Sequence, residues 1–324
     1  MRSGSELVRA TFPFAVEDRR RTWQATGITL VLLAITESMA LFGPWWLRLV
    51  GMTLTALLTV RMFIIYHDAM HGAVFKGSVW GQRLMSLVGI LTLSPRSVWK
   101  ETHDYHHRNN CKLPSTAIGS FPVVTTRHWR RMAPNERRYY AFIRHPFTIL
   151  FGYFFLFLFG MCAASFYRAP KQHWASGVAP VVHFALAGLV GVTLGWGSAL
   201  TGVIGVMFVA CAVGGYLFYA QHNYPGVEFQ KRTEWSYHDA ALKSSSYFKM
   251  SPVMHFLTGN IGYHHVHHLN HNIPFYRLPE AMAALPELQS PGETSWKPAD
   301  VWAALSLKLW DPTKNEMVPF PSAN

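Results

Sequence analysis

From Val178 to Ala220 the chain carries no acidic or basic residue apart from His183. A run of that length is about twice what one α-helix needs to cross a bilayer. Two further runs precede it. Ala25–Phe42 is interrupted only by Glu37, and Leu47–Tyr66 carries arginine only near its ends. The composition agrees: 50% of the residues are hydrophobic and 14% are charged, well below the quarter typical of soluble domains. The runs predict an all-α integral membrane protein with four transmembrane helices.

Topology follows from charge and parity. The first 24 residues are polar and end in "EDRRRTW", with no cleavable-signal pattern after them. Arg19, Arg20 and Arg21 place this end on the cytoplasmic side. Two crossings, turning at "GPWW", return the chain to that side at His67–His71. Three apolar stretches remain before His222: 146–166, 178–196 and 198–220. If all three crossed, His222 would lie opposite the other histidine groups. The link after Phe166 carries Arg168 and Lys171, whereas "GWGS" at 195–198 is uncharged. The reading is therefore that 146–166 is re-entrant or interfacial and the next two stretches form the hairpin. Residues 78–93 are expected to be interfacial as well. The expected layout is a cytoplasmic segment at 1–24, one membrane domain at 25–312 with interfacial helices and a cytoplasmic histidine-rich cap, and a tail at 313–324.

The formal charge of +12 is concentrated between Lys76 and Lys171, where 14 Lys/Arg face three acids. In a chain with spans this points to anionic headgroups or an acidic protein partner; no nucleic-acid motif accompanies it. Cys111, Cys162 and Cys211 are far apart and suggest neither a disulfide framework nor a zinc ribbon.

Seventeen histidines are present, and three groups have internal spacing that matters: His67 and His71; His103, His106 and His107; His264, His267 and His268. Separations of three and four place side chains on one helical face, so each group reads as a two- or three-pronged ligand set. His222, in "AQHNYPG", is a lone addition. These nine imidazoles exceed a four-coordinate structural zinc and suit two transition-metal ions with open positions. His265 lies about 100° around the helix from His264 and is left out; His271 is a candidate supporting donor. Asp68 and Asp104, each following a ligand histidine, are candidates to orient the rings. Asn260, four residues before His264, is expected on that helical face, where it would hold a metal-bound water.

The three boxes His-x-x-x-His, His-x-x-His-His and His-x-x-His-His resemble those of membrane-bound fatty acid desaturases. "AQHNYPGVEF", "SSSYFKMSPVMHFLTGNIGYHHVHHLNHNIPFYRLPEA" and "LKLWD" are similar to the bacterial acyl-lipid branch, and the likeness covers most of 60–312. The resemblance implies two non-haem iron ions held by the nine histidines, with O2 and two electrons consumed to remove two hydrogens from a membrane lipid acyl chain, in a bacterial inner membrane. The first box, "HDAMHG", is also similar to carotenoid ketolases and hydroxylases of the same superfamily, which makes a carotenoid the alternative substrate.

An unactivated methylene has no acidic proton, so the hydrogen must go to a cofactor-borne oxidant, with an apolar tunnel beside it; the small residues of "GLVGVTLGWG" (188–197) would leave room for one. The chain has no Rossmann fingerprint, no Cys cluster and no fused haem domain, so an external donor of ferredoxin or cytochrome b5 type is expected. Arg127, Arg130, Arg131, Arg137 and Arg138 are the candidate docking residues. A metal transporter would place ionisable residues along its spans. Here the spans hold only Glu37, His183 and end-located arginines, which disfavours transport.

Overall fold

The computed structural model describes residues 2–115 and 118–321. Its main helices are α1 (Arg19–Phe42), α2 (Trp45–His71), α3 (Val79–Leu91), α4 (Arg96–Asn109), α5 (Tyr153–Arg168), α6 (Trp174–Leu194), α7 (Trp196–Ala220) and the short α8 (His264–Leu269). Among the described residues, α1, α2, α6 and α7 are long and apolar enough to cross a membrane. The first span begins at Arg19 rather than Ala25, because the Asp18 carboxylate caps it by accepting from the Arg20 and Arg21 N–H groups.

The spans are sorted as a bilayer requires. Val31, Ile35, Val181 and Val192 are each more than half exposed, while Thr22, Thr26 and Thr29 are fully buried. Each buried threonine donates its hydroxyl to the carbonyl four residues earlier, at 3.1, 2.8 and 2.7 Å. Polar groups are thus satisfied inside and apolar ones face outward. α1 and α2 approach closely because Gly51 lies against the α1 backbone: a Cβ there would sit 2.5 Å from the Ala40 nitrogen.

The stretch 146–168 returns to the end from which it enters. At its start, Arg144 donates to Asn223 just beyond α7, at 2.6 Å. At depth, the Tyr153 hydroxyl meets His183 within α6, at 2.7 Å. At its finish, Phe166 packs on Gly177 in the first turn of α6. This apolar segment, wound largely in wide π-type turns, does not cross. The ends of α2 and α7 that carry His71 and His222 therefore fall together, as parity predicts.

Beyond these ends lies a cap of short helices and, among the described residues, three two-stranded sheets. The N-terminal segment is part of it: Leu7 packs with Val266 and Leu269, and Arg2 pairs with Glu287 at 3.0 Å. In the C-terminal segment, Glu316–Val318 pairs antiparallel with Leu309–Asp311.

Gly51→Val should force α1 and α2 apart and lower stability by about 1–3 kcal/mol. Gly188, in α6, has nothing within 4 Å of the Cβ position, so Gly188→Ala should leave the unfolding midpoint unchanged or slightly raised. Thermal unfolding of both variants in detergent checks the contrast.

Candidate metal centre

α2 ends with His67 and His71 one turn apart, and Gly72 stops it in the left-handed conformation at φ 77°. α4 contributes His103, His106 and His107, and α8 contributes His264, His267 and His268. The nine histidines converge into two groups whose donor atoms all lie within 4.8 Å of one another: His67, His71, His103, His107 and His267 in one, and His106, His222, His264 and His268 in the other.

In the first group, Nε2 separations are 3.0 Å for His67–His103, 3.0 Å for His107–His103 and 3.1 Å for His267–His107. In the second they are 3.1 Å for His106–His222, 3.2 Å for His106–His268, 2.9 Å for His264–His222 and 3.1 Å for His268–His264. Two ligands about 2.1 Å from a common ion and 90° apart would stand about 3 Å from each other. The His71 Nε2 is buried with no hydrogen-bond partner, as expected of an atom reserved for an ion. The residues fit a pair of imidazole-preferring transition metals.

The triplets do not each serve one group. In α4, His103 and His107 join the first group and His106 the second; in α8, His264 and His268 join the second group and His267 the first. Residues four apart share a face, while adjacent residues diverge by about 100°. One His-x-x-His-His motif therefore reaches two places at once.

Burial makes these rings neutral ligands. It pushes His103, His106, His107, His264, His267 and His268 well below the ordinary imidazole value, and the neighbouring imidazoles push them further. His222 is lowered by burial to about 4, opposed by its bond to the Ser244 carbonyl.

Two ring orientations have visible causes. The His67 Nδ1–H donates to Asp68 Oδ1 at 2.9 Å, and Asp68 Oδ2 accepts from the Phe275 N–H at 2.6 Å. The His222 Nδ1–H donates to Ser244 O at 2.8 Å. Both bonds leave Nε2 free to face inward. Asp104 does otherwise: its carboxylate accepts from Lys100, one turn away, at 2.9 Å, and touches no ligand. Asn260 is not on a shared helical face with His264. Gly259 and Asn260 both have φ 56° and break the helix, and the Asn260 amide donates to Phe275 O at 3.1 Å.

His265 turns away, with Nε2 on Leu288 O at 3.0 Å. His271 stands closer than its spacing suggests, its ring 4.7 Å from that of His71. Trp99 escaped the sequence reading. It lies one turn before His103 on α4 and stacks on it at 4.2 Å, with its edge also toward His67 at 5.2 Å.

An apolar cleft of about 440 Å³ opens between α2 and α7, lined by Met52, Phe154, Leu200, Ile204 and Phe208. Residues 188–197 do not line it: Gly191 is filled by the Trp196 ring, and Leu189 and Val192 face outward. Of the arginines considered for docking, Arg127, Arg130, Arg131 and Arg138 are exposed. Arg137 instead joins two short helices by donating to Trp129 O at 2.9 Å and Arg130 O at 2.7 Å.

With this geometry in view, comparison with known proteins is decisive for the family. A family model described as fatty acid desaturase matches residues 43–297. The chain belongs to that family. It is similar to a fatty acid desaturase of Bacillus subtilis (strain 168), 29% identical over 86% of this chain and 82% of the relative. It is also similar to an sn-1 acyl-lipid omega-3 desaturase (ferredoxin) of Nostoc sp. (strain 36), 25% identical over 80% of this chain and 71% of the relative. A protein of the same name from Synechocystis is 23% identical over 86% of this chain and 76% of the relative. The family supports an oxidoreductase, and the two histidine groups fit its metal site.

Asp68→Ala should lower divalent-metal affinity about 10- to 100-fold by freeing the His67 ring, measured as iron or cobalt retention against a chelator. In the metal-free desaturase, the depressed histidines set a pH dependence. The unfolded chain takes up protons near pH 6.5, whereas His222 and His265 wait until about 4. Stability should therefore fall as the pH drops from about 7 to about 4, by roughly 3 kcal/mol for each of these two. A melting midpoint that stays flat across this range would count against buried, neutral rings.

Proposed function

We propose that this desaturase uses two iron ions, held by the nine converging histidines, to desaturate acyl chains of membrane lipids, with electrons from a separate carrier of the ferredoxin class. The observation that carries the reading is the pair of imidazole groups, within each of which the donor atoms lie within 4.8 Å of one another. Five and four ligands leave open positions on six-coordinate ions. The iron pair, with O2 and two electrons, would supply the oxidising power to take two hydrogens from an unactivated methylene.

The chain's own residues do the rest. α2, α4 and α8 hold the rings at helical spacing. Asp68 and the Ser244 carbonyl fix the tautomers of His67 and His222, and Trp99 walls the first group against water. Arg19, Arg20 and Arg21 at the start of α1 support a cytoplasmic histidine cap, in a bacterial inner membrane. The acyl-lipid substrate and the ferredoxin class draw support from what the cyanobacterial relatives are named for.

The test is the fatty acid profile of a host expressing the chain with a ferredoxin system, beside a His107→Ala control. A new unsaturated species absent from the control is expected, its double bond mapped by mass spectrometry. An unchanged profile with iron-loaded protein and a reduced donor would reject the acyl reading and direct attention to carotenoids, to which the first box is also similar. For the donor, reversing Arg127, Arg130, Arg131 and Arg138 to glutamate should raise its apparent KM by roughly tenfold at low salt. Unchanged donor kinetics would remove this surface from the reading.

A further inference from the structure

Two cations lie buried in the cap without a counter-ion. Arg144 is 1% exposed and Lys308 is 8% exposed. Arg144 donates only to neutral acceptors: Pro122 O at 2.9 Å, Asn223 Oδ1 at 2.6 Å, the Tyr219 hydroxyl at 3.2 Å and Leu307 O at 3.2 Å. Its Nε is buried with no partner at all. The Lys308 ammonium donates to the Arg144 carbonyl at 2.5 Å, and burial beside Arg144 lowers it to about 8. Among the described residues neither cation pairs with a carboxylate. A buried charge left unpaired costs several kcal/mol, and an orphaned N–H beside it adds to that.

Arg144 also lines a cavity of about 20 Å³, bounded by His106, Asn110, Cys111, Tyr219 and His222. The cavity thus touches the second histidine group. Among the described residues that group has no acid of its own: Asp68 serves the first group, while His222 is held by a neutral carbonyl. The space admits one or two water-sized atoms, which suits the two oxygens of a carboxylate and excludes a phosphate ester or a sugar acid.

We propose that this cavity is a binding site for a carboxylate, seated between the Arg144 guanidinium and the His106–His222 edge of the second group. The site does not depend on metal: whatever the histidine groups hold, no carboxylate among the described residues pairs with Arg144 or Lys308. With cations in both histidine groups the deficit of negative charge grows, and the carboxylate would offset it on the side where the chain offers no acid. The ligand is either a small free carboxylate or the carboxyl end of a short chain.

The experiment uses full-length protein in detergent, metal-free and iron-loaded in parallel. Sodium formate replaces sodium gluconate at constant ionic strength, and the thermal midpoint is read. Gluconate carries a hydroxyl on the carbon next to its carboxylate, so its end is bulkier and more strongly hydrated than formate or the end of an unbranched chain, and the cavity should not admit it. Metal-free wild type should show a saturable rise of about 2 °C at ten times the dissociation constant. Arg144→Gln removes the charge and should abolish the rise. Cys111→Met fills the cavity, leaves every charge in place and should also abolish it, which keeps the test standing if Arg144→Gln does not fold. A rise that fails to saturate, or that persists undiminished in Cys111→Met, overturns the proposal. Hexanoate binding in place of formate would identify a chain-end carboxyl; formate alone would identify a small free one. Failure of iron loading would leave the metal-free result intact, so the two readings fail separately.

Discussion

Nine buried imidazoles gathered in two groups, eight of them with Nε2 atoms about 3 Å from a neighbour's, cannot coexist on their own terms. Adjacent lone pairs repel, and hydrogen bonds between rings satisfy only some of them. Protonation would supply donors, but burial and the mutual repulsion of imidazolium charges oppose it, which is why the rings of α4 and α8 sit well below the ordinary imidazole value. A shared cation of higher charge is the remaining way to satisfy so many lone pairs. The folded chain is in this sense arranged around two histidine groups that a cation would complete. The crossing of α2, α4 and α8 makes sense only with respect to them.

The helical repeat lets so few elements supply so many ligands. α4 and α8 carry the same motif and use it in opposite senses: the pair four apart on α4 goes to the first group, and the pair four apart on α8 goes to the second. The remaining histidine of each motif crosses to the other group. Two short helices therefore tie both groups together, so neither can shift without the other. α2 adds to the first group alone and His222 to the second alone, which accounts for five donors against four.

The spans and the boxes were legible in the sequence because hydropathy and helical spacing are local properties. Parity even identified the apolar stretch that does not cross, since Arg168 and Lys171 mark its return. The errors all come from competition that spacing cannot register. Asp104 had a lysine one turn away as well as a histidine beside it, and the half-buried lysine won. Asn260 stood at helical spacing from His264, but Asn260 and Gly259 are left-handed and lie in the turn between the helix Pro252–Leu257 and α8, so no helical face joins the two residues. Gly259 is packed so closely on Ile64 that a Cβ would lie 2.9 Å from it. The splitting of each triplet was implicit in the 100° between neighbours, yet it needed the second group's position to become visible. Arg144 and His271 owe their settings to contacts remote in sequence, for which a single chain gives no signal.

The third box raises a problem that the clamps around it resolve. α8 has six residues, too few to be stable alone, yet it must fix three rings to within fractions of an ångström. Its helix therefore depends on its surroundings: the short helix Tyr237–Lys243 packs on it through Ala241, beside Val266 and Leu269, and α2 holds the chain on either side of it. On the far side of α8, Asp68 holds the Phe275 N–H while also holding His67. On the near side, Arg61, buried in the span, donates to Thr29 on α1 at 2.9 Å and to the Phe256 carbonyl, with its guanidinium 4.0 Å above the Phe256 ring. The Asn270 amide reaches Thr11 of the N-terminal segment at 2.8 Å. A cation buried at membrane depth without an acid is costly; of its two neutral partners here, Thr29 lies on α1 and Phe256 on the chain that leads into α8. The same helix that presents His67 and His71 thus sets the position of His264, His267 and His268, so the two sides of the centre share one reference.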